Sequence, residues 1–210
     1  MRRIRAWSEF YATPPTYADA LMQVASHAPL LERMREGDRV LEVGAGTGSL
    51  SGFLSGRSRV AVVEPDLQVG RIALTNPLMQ THHVALVRAD GMRLPFRADT
   101  FDVVYSQGLF EHFEDEAVRD FVAEGLRVAP LVLASVPSKW YPHLGRLIRP
   151  ALRGDERLLS NIEWREMIEP VAGSCDATYY SDVKLATLAG RTLSWPTHIL
   201  VTARRPPKPP

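Results

Sequence analysis

Two kinds of hydrophobic pattern alternate along the chain. Short runs of apolar and β-branched residues predict buried strands, and segments in which apolar residues recur every three or four positions predict amphipathic helices. The predicted strands lie near residues 40–44, 59–64, 83–88, 101–106, 130–136, 176–183 and 197–203. The predicted helices cover residues 16–35, 66–75, 115–128 and 161–171, and Pro29 is expected to kink or split the first of them. Because strands alternate with helices, we expect an α/β fold with a parallel, doubly wound sheet.

The C-terminal part of the chain departs from this alternation of strands and helices. The strands predicted near residues 176–183 and 197–203 indicate an antiparallel hairpin, whose connection is long enough to hold more than a turn. With 210 residues, of which 45% are hydrophobic and 23% are charged, the chain can bury one core. We therefore expect a single domain over residues 1–203. The proline-rich residues 204–210 are expected to be disordered.

The overall composition narrows the partners and the location. A net charge of +1 gives no general attraction to nucleic acid, so we expect no nucleic-acid partner. The single cysteine, Cys175, excludes an intramolecular disulfide and argues against a thiolate metal site, and we predict no bound metal. No apolar segment follows the basic residues 1–5, and no apolar run approaches membrane-spanning length. We therefore expect a cytoplasmic protein with no membrane span.

A glycine-rich turn follows the first predicted strand. Residues 40–43 are mostly apolar, and Gly44, Gly46 and Gly48 come next at alternate positions. Glycines allow positive φ angles and let the backbone approach a ligand without a Cβ atom in the way. Residues 47–50 then begin a helix, whose free N–H groups face the same crevice. This order of strand, turn and helix predicts a site for a nucleotide-like ligand, although a tight turn of this kind can also be purely structural.

The spacing of the glycines indicates which ligand is bound. Dinucleotide sites usually have the pattern G-x-G-x-x-G, but Ser49 stands where the third glycine of that pattern would be. The string E-V-G-A-G-T-G, from Glu42 to Gly48, resembles motif I of class I S-adenosylmethionine-dependent methyltransferases. An acidic residue at the position of Glu42 is common in that family.

Acidic residues end the next two predicted strands. Glu64 lies 20 residues after Gly44, where such folds place an acid that binds ribose hydroxyls, a feature that also suits NAD. Asp90 is a candidate acceptor for an exocyclic adenine amine, and Gly91 leaves space for the ring. The string A-D-G resembles the adenine-contacting motif of the methyltransferases, although Asp90 can also simply cap a turn. Met92 is expected either to flank the purine or to lie in the core.

The most specific resemblance begins at residue 94. The order L-P-F, a short polar loop, F-D-V-V and then E-H-F is similar to small-molecule methyltransferases related to the ubiquinone and menaquinone C-methyltransferases. The resemblance covers residues 38–136. It implies a Rossmann-like, doubly wound sheet of seven strands, mostly parallel with an antiparallel terminal strand. It also implies S-adenosylmethionine as the cofactor and a small-molecule acceptor that is methylated at O, N or C.

In an open α/β sheet the ligand lies outside the carboxyl ends of the strands, beside the first strand. The predicted cofactor site therefore gathers residues from the ends of four strands. They are Glu42, Gly44, Ala45, Gly46, Gly48, Glu64, Pro65, Asp90, Gly91, Met92, Ser106 and Gln107.

Candidate catalytic and substrate residues lie outside this set. Methyl transfer requires a base only if the acceptor must lose a proton, and His112, after the fourth strand, is the candidate. His112 can also cap the following helix or pack against the cofactor, and Glu111 is read as helix N-terminal charge. Two segments are expected to cover the substrate, residues 1–17 as a cap and residues 138–160 as a lid. Their candidate substrate residues are Tyr11, Trp140, Tyr141 and Arg146, for which core packing or a solvated face is the alternative.

Other functions remain in competition with methyl transfer. The chain can be a non-catalytic scaffold or regulatory subunit that binds S-adenosylmethionine. An NAD-dependent oxidoreductase is disfavoured by the glycine spacing and by the lack of an S…Y-x-x-x-K set. The string S-Q-G-L stands after the fourth strand in place of D-P-P-Y, which argues against methylation of exocyclic base amines. The sequence leaves the acceptor and the oligomeric state open.

Overall fold

The computed structural model describes residues 7, 11, 13, 15–82, 84–140, 156–181, 183–188 and 191–206. Its helices are α1 (Tyr17–Ser26), α2 (Ala28–Leu31), α3 (Ser49–Leu54), α4 (Leu67–Leu74), α5 (Pro77–Thr81), α6 (Asp115–Val128) and α7 (Asn161–Ile168), with 3₁₀ turns at Phe110–His112 and Glu169–Val171. Its strands are β1 (Arg39–Val43), β2 (Arg59–Val63), β3 (Ala85–Val87), β4 (Val103–Gln107), β5 (Leu131–Pro137), β6 (Ser174–Tyr180), β7 (Val183–Leu188), β8 (Arg191–Trp195) and β9 (His198–Arg204).

Seven of these strands form one sheet in the order β3-β2-β1-β4-β5-β9-β6. The pairings from β3 through to β5 are parallel, and β9 is antiparallel to both β5 and β6. The strand order reverses beside β1, which is where open α/β sheets bind their ligands. The predicted fold class, a mostly parallel seven-stranded sheet with an antiparallel terminal strand, is confirmed.

Both faces of the sheet are covered, because successive side chains of a buried strand point to opposite faces. On one face Leu41 and Val104 belong to a buried cluster with Val122 of α6. On the other face Val40 belongs to a second cluster with Leu54 of α3. Within the described residues, none of the helices combines the length and the apolar character needed to cross a bilayer.

The structure divides the first predicted helix and adds one that the sequence analysis missed. As expected, the chain breaks near Pro29: α1 ends at Ser26, and Pro29 lies in the first turn of α2, where its missing N–H is not needed. The missed helix is α5. Asn76 caps it by accepting from the N–H of Leu78 at 2.9 Å, and Pro77 is its first residue. The sequence analysis ends a helix at residue 75 and predicts none over residues 77–81.

The long connection between β6 and β9 holds a second, two-stranded sheet made of β7 and β8.

The predicted start of the disordered tail, residue 204, is wrong, because β9 extends to Arg204. The next residue is also held in place, since the Arg205 guanidinium donates to the carbonyls of Leu126 and Arg127 at 2.6 and 3.2 Å. Residues 207–210 of that tail lie outside the described residues.

Both ends of the predicted lid, residues 138–160, are held by hydrogen bonds. At its start, the Ser138 N–H donates to the Thr197 carbonyl at 2.9 Å. At its end, the Arg157 N–H donates to the Glu111 carbonyl at 2.8 Å, and its guanidinium donates to Asp115 Oδ1 at 2.7 Å. Both attachments follow carboxyl ends of neighbouring parallel strands. Tyr141 and Arg146 lie between them, outside the described residues.

A glycine within α3 permits the close approach of α5. A Cβ atom at Gly52 would lie 2.6 Å from the Leu78 carbonyl carbon and 2.7 Å from the Met79 nitrogen, and these backbone atoms cannot turn aside. We expect Gly52→Ala to lower the free energy of unfolding by about 1–3 kcal/mol, measured by urea denaturation. Gly56→Ala is the matched control, because its nearest neighbour is the exposed His82 side chain. Equal stability of the two variants would contradict the prediction.

Candidate functional site

The glycine turn occupies the carboxyl end of β1, beside the point where the strand order reverses. Gly44, Gly46 and Gly48 have φ angles of +85°, +48° and +74°, in the region that glycine adopts without strain. The Gly44 N–H donates to the Val63 carbonyl at 2.9 Å, which joins the turn to the end of β2. A Cβ atom at Gly48 would lie 2.8 Å from Met79 Cγ. The turn therefore depends on glycine for its conformation and, at Gly48, also for space.

Glu64 follows β2 and is fastened to the glycine turn. Its Oε2 accepts from the Ala45 N–H at 3.0 Å, and its Oε1 accepts from the Asp66 N–H at 2.9 Å. Burial raises the pKa of this carboxyl, and the two backbone hydrogen bonds oppose that rise. A carboxylate has about four lone-pair positions, so Glu64 retains the capacity to accept from a ligand.

Asp90 both caps a turn and faces a cavity. Its Oδ1 accepts from the Met92 N–H at 2.9 Å, which is the turn-capping role that the sequence left open. A Cβ atom at the intervening Gly91 would lie 2.4 Å from Val43 Cγ1 and 2.5 Å from Phe121 Cε1. Gly91 therefore lets this turn pack directly against the end of β1 and against α6.

A cavity of about 330 Å³ lies between these strand ends. It brings together many of the predicted site residues, namely Tyr11, Gly44, Gly46, Glu64, Pro65, Asp90, Gly91, Met92 and Gln107. Trp7, from the predicted cap of residues 1–17, also lines it. The sequence analysis missed the other lining residues, namely Val43, Val69, Gly108, Leu109, Phe113 and Phe121. Apart from two carboxylates and one amide, the side chains around this cavity are apolar or aromatic.

A second, smaller cavity of about 70 Å³ is also lined by the glycine turn. It shares Tyr11, Gly44, Gly46, Gln107 and Gly108 with the larger cavity. It adds the predicted residues Glu42, Ala45 and Gly48, and also Gln23, Thr47, Ser49 and Leu50, which the sequence analysis did not assign to the cofactor site. Polar side chains predominate here, in contrast to the larger cavity.

Glu42 is a buried acid beneath the glycine turn. Its Oε2 accepts from Ser51 Oγ at 2.5 Å, and Ser51 Oγ lies 2.9 Å from the Tyr105 hydroxyl. Burial raises the pKa of Glu42 from 4.5 to about 8, and the hydrogen bonds offset this only in part. Glu42 is therefore mainly protonated at pH 7 in this structure.

Three of the predicted residues that the structure describes line neither cavity. Ser106 is buried in β4, and its Oγ has no hydrogen-bond partner among the described residues. The His112 ring packs edge-on against Trp7 at 4.8 Å, with its Nε2 3.9 Å from Glu111 Oε1. Trp140 is half-exposed, and its ring contacts Trp195 edge-on, with the centroids 6.5 Å apart.

The L-P-F string has a structural role. The Leu94 N–H donates to Glu124 Oε1 at 2.7 Å. The Arg127 guanidinium donates to the carbonyls of Leu94 and Phe96 at 3.0 and 2.8 Å. Helix α6 therefore fixes the loop that follows Asp90. In the described residues, no group of three or more His, Cys, Asp or Glu side chains is arranged to hold a metal ion.

The buried Glu42 makes the stability of the fold depend on pH. Between pH 4.5 and about 8 the folded chain keeps a proton that the unfolded chain releases, so the free energy of unfolding falls as the pH rises. The limiting slope is about 1.4 kcal/mol per pH unit. We expect Glu42→Gln to flatten this dependence in urea denaturation series at pH 5, 6, 7 and 8. The exposed Glu32→Gln is the control, and equal slopes in the wild type and E42Q would show that Glu42 is ionised when folded.

Comparison with sequence families gives one match. Residues 40–129 match the model of a methyltransferase-domain family. The matched segment runs from β1 to the end of α6, and it includes the glycine turn, Glu64 and Asp90. A search of curated proteins found no match to the chain.

Solved structures of methyltransferases share the fold. An S-adenosylmethionine-dependent methyltransferase from Archaeoglobus fulgidus superposes with a TM-score of 0.65 at 14% identity, over 89% of this chain and 94% of its own. Magnesium protoporphyrin IX methyltransferase from Synechocystis PCC 6803, solved with bound S-adenosylhomocysteine, gives 0.62 at 14% identity, over 95% and 92%. A chain from the complex between the Haloferax volcanii Trm112 methyltransferase activator and a methyltransferase gives 0.65 at 18% identity, over 90% and 95%.

These comparisons support the predicted cofactor, S-adenosylmethionine. Residues 40–129 match a methyltransferase domain, and the chain as a whole has the fold of S-adenosylmethionine-dependent methyltransferases.

Proposed function

We propose that the chain transfers a methyl group from S-adenosylmethionine to O, N or C of a small molecule. The observation that carries this proposal is the position of Glu64. Its carboxylate is fastened to the glycine turn and lines the same cavity as Asp90. Ribose and adenine each offer hydrogen-bond donors, and these two carboxylates are acceptors at neighbouring strand ends.

The residues present fit this cofactor. Glu64 would accept from the ribose hydroxyls, and Asp90 from the exocyclic amine of adenine. The apolar side chains of Val69, Met92 and Phe121 line the same cavity and suit the faces of a purine. The backbone of the glycine turn provides the close approach that a nucleoside thioether requires.

The bound cofactor supplies an electrophilic methyl carbon on a sulfonium. The protein has to align a nucleophile with that carbon and exclude water from it. Trp7, Tyr11, Leu109 and Phe113 line the larger cavity with apolar and aromatic surface, which suits the exclusion of water. Trp7 and Tyr11 come from the predicted cap, residues 1–17, and we propose that this segment closes over the cofactor.

The proposed acceptor is a small molecule. A net charge of +1 gives no general attraction to nucleic acid, and the larger cavity holds about 330 Å³. Residues 138–160 are attached at the carboxyl ends of β4 and β5, so we propose that this segment lies over the acceptor. The predicted relation to ubiquinone and menaquinone C-methyltransferases stays a prediction.

The proposed function is tested with S-adenosylmethionine that carries a labelled methyl group. The protein is incubated separately with a small-molecule extract, a tRNA fraction and a protein fraction. We expect label to enter the small-molecule fraction, together with formation of S-adenosylhomocysteine. Label in RNA or protein would overturn the small-molecule acceptor. Tight binding of S-adenosylhomocysteine without transfer to any fraction would favour the non-catalytic scaffold.

Removal of the Glu64 carboxylate should weaken cofactor binding. Glu64→Ala leaves the ribose donors unpaired in a partly dry site, and we expect a loss of about 1–3 kcal/mol in the binding of S-adenosylhomocysteine. Isothermal titration calorimetry measures this loss, with the exposed Glu32→Ala as the control. Unchanged affinity in a folded E64A variant would show that the ribose contact is wrongly assigned.

His112 is the proposed base for an acceptor that must lose a proton. It lies between Leu109 and Phe113, which line the larger cavity, and its ring contacts Trp7. With an identified acceptor, we expect His112→Ala to lower turnover by about 100-fold or more while leaving cofactor affinity unchanged. Equal turnover of H112A and the wild type would show that His112 only supports Trp7. A loss of cofactor affinity in H112A would also indicate a structural role.

A further inference from the structure

A row of hydrogen bonds runs from α5 through the glycine turn to α1 and β4. Asn76 Nδ2 lies 3.0 Å from Ser49 Oγ, which lies 3.0 Å from Thr47 Oγ1. Thr47 Oγ1 donates to Gln23 Oε1 at 2.6 Å, and Gln23 Nε2 donates to Gln107 Oε1 at 3.3 Å. A hydroxyl has one hydrogen to donate, so Ser49 must donate to Thr47. In this row the Gln23 amide has its oxygen on Thr47 and its nitrogen toward Gln107.

The Gln23 amide nitrogen has a second hydrogen to donate. Of its two N–H groups, one serves Gln107, and the structure gives no partner for the other among the described residues. The side chain is partly buried and lines the smaller cavity. A partly buried donor without a partner costs free energy that an incoming acceptor would recover. The smaller cavity therefore has a neutral donor ready for a ligand.

The charges around the smaller cavity indicate which ligand group is received. Among the described residues that line the two cavities, there is no Lys, Arg or His. A carboxylate bound there would have to be held by neutral donors. Each of those donors therefore contributes a larger share of the binding free energy than it would beside a cationic side chain. Glu42 lines the same cavity, and an ammonium group beside it would favour the ionised form of its carboxyl group. A zwitterionic amino acid matches this combination.

We infer that Gln23 positions the amino-acid end of the cofactor, with its Nε2 group donating to the carboxylate of that end. The inference rests on the proposed function. Gln23 lies on α1, outside the segment that matches the methyltransferase domain. The last turn of α1 is held in place because the buried His27 donates from Nδ1 to the Gln23 carbonyl at 2.9 Å. In this inference helix α1 contributes a ligand-binding side chain to the site, in addition to packing against the core.

Two ligands separate this role from a structural one. S-adenosylhomocysteine carries the amino-acid end, and 5′-methylthioadenosine has the same nucleoside and thioether without it. Gln23→Met keeps the length of the side chain and removes the amide. We expect this variant to bind S-adenosylhomocysteine about tenfold more weakly and 5′-methylthioadenosine with unchanged affinity in calorimetric titrations. Thr47→Val should weaken only S-adenosylhomocysteine as well, because it releases the Gln23 amide oxygen.

Gln80→Met, at an exposed position of α5, is the matched control and should leave both affinities unchanged. Unchanged binding of S-adenosylhomocysteine to Q23M would overturn the inference. An equal loss for both ligands would overturn it too, because it would assign Gln23 a purely structural role in the glycine turn. If the wild-type protein bound neither ligand, the proposed function itself would fail, and this result is distinct from any effect of Gln23.

Discussion

The parallel pairing of β1 with β2 on one side and β4 on the other determines where the functional groups meet. The register pairs Val43 with Val63, the last residues of β1 and β2, so the two strands end side by side. The glycine turn and Glu64, which follow them, therefore lie next to each other. Two backbone N–H groups, those of Ala45 and Asp66, then donate to the Glu64 carboxylate. The carboxylate that is proposed to bind ribose is thus held by the backbone of the turn, and a shift in strand register would separate the two.

The glycine turn is supported from two sides by different kinds of contact. On the outer side, the amide of the buried Asn76 donates to the Thr47 carbonyl at 2.7 Å. Beneath it, Glu42 forms a hydrogen-bonded group with Ser51 and Tyr105, all of them buried. Buried polar groups of this kind are costly unless they are paired, and pairing makes their geometry specific. The turn has positive φ angles at its glycines, yet its surroundings leave it little freedom to rearrange.

Sequence reasoning could predict only those parts of the candidate site that depend on local order along the chain. Gly44 and Glu64 follow apolar strands directly, Asp90 lies three residues after the end of β3, and parallel strands bring their carboxyl ends to one edge. The role inferred for Gln23 could not be predicted in this way, because its partners Thr47 and Gln107 lie 24 and 84 residues away and an amphipathic helix predicts only packing. Ser106 shows the opposite error. It adjoins Gln107 in sequence, but neighbouring strand residues point to opposite faces, and only Gln107 lines the cavity.

The attachments of residues 138–160 have a consequence for how such proteins diversify. One end is joined through Ser138 to the Thr197 carbonyl, and the other through Arg157 to the Glu111 carbonyl. Both acceptors are main-chain carbonyls of the scaffold, so they persist whatever side chains occur between them. Under the proposed role of this segment as a cover for the acceptor, replacing it would change the acceptor specificity and leave the cofactor site unchanged. In directed evolution of this chain, residues 138 and 157 are suitable boundaries for replacing the segment between them.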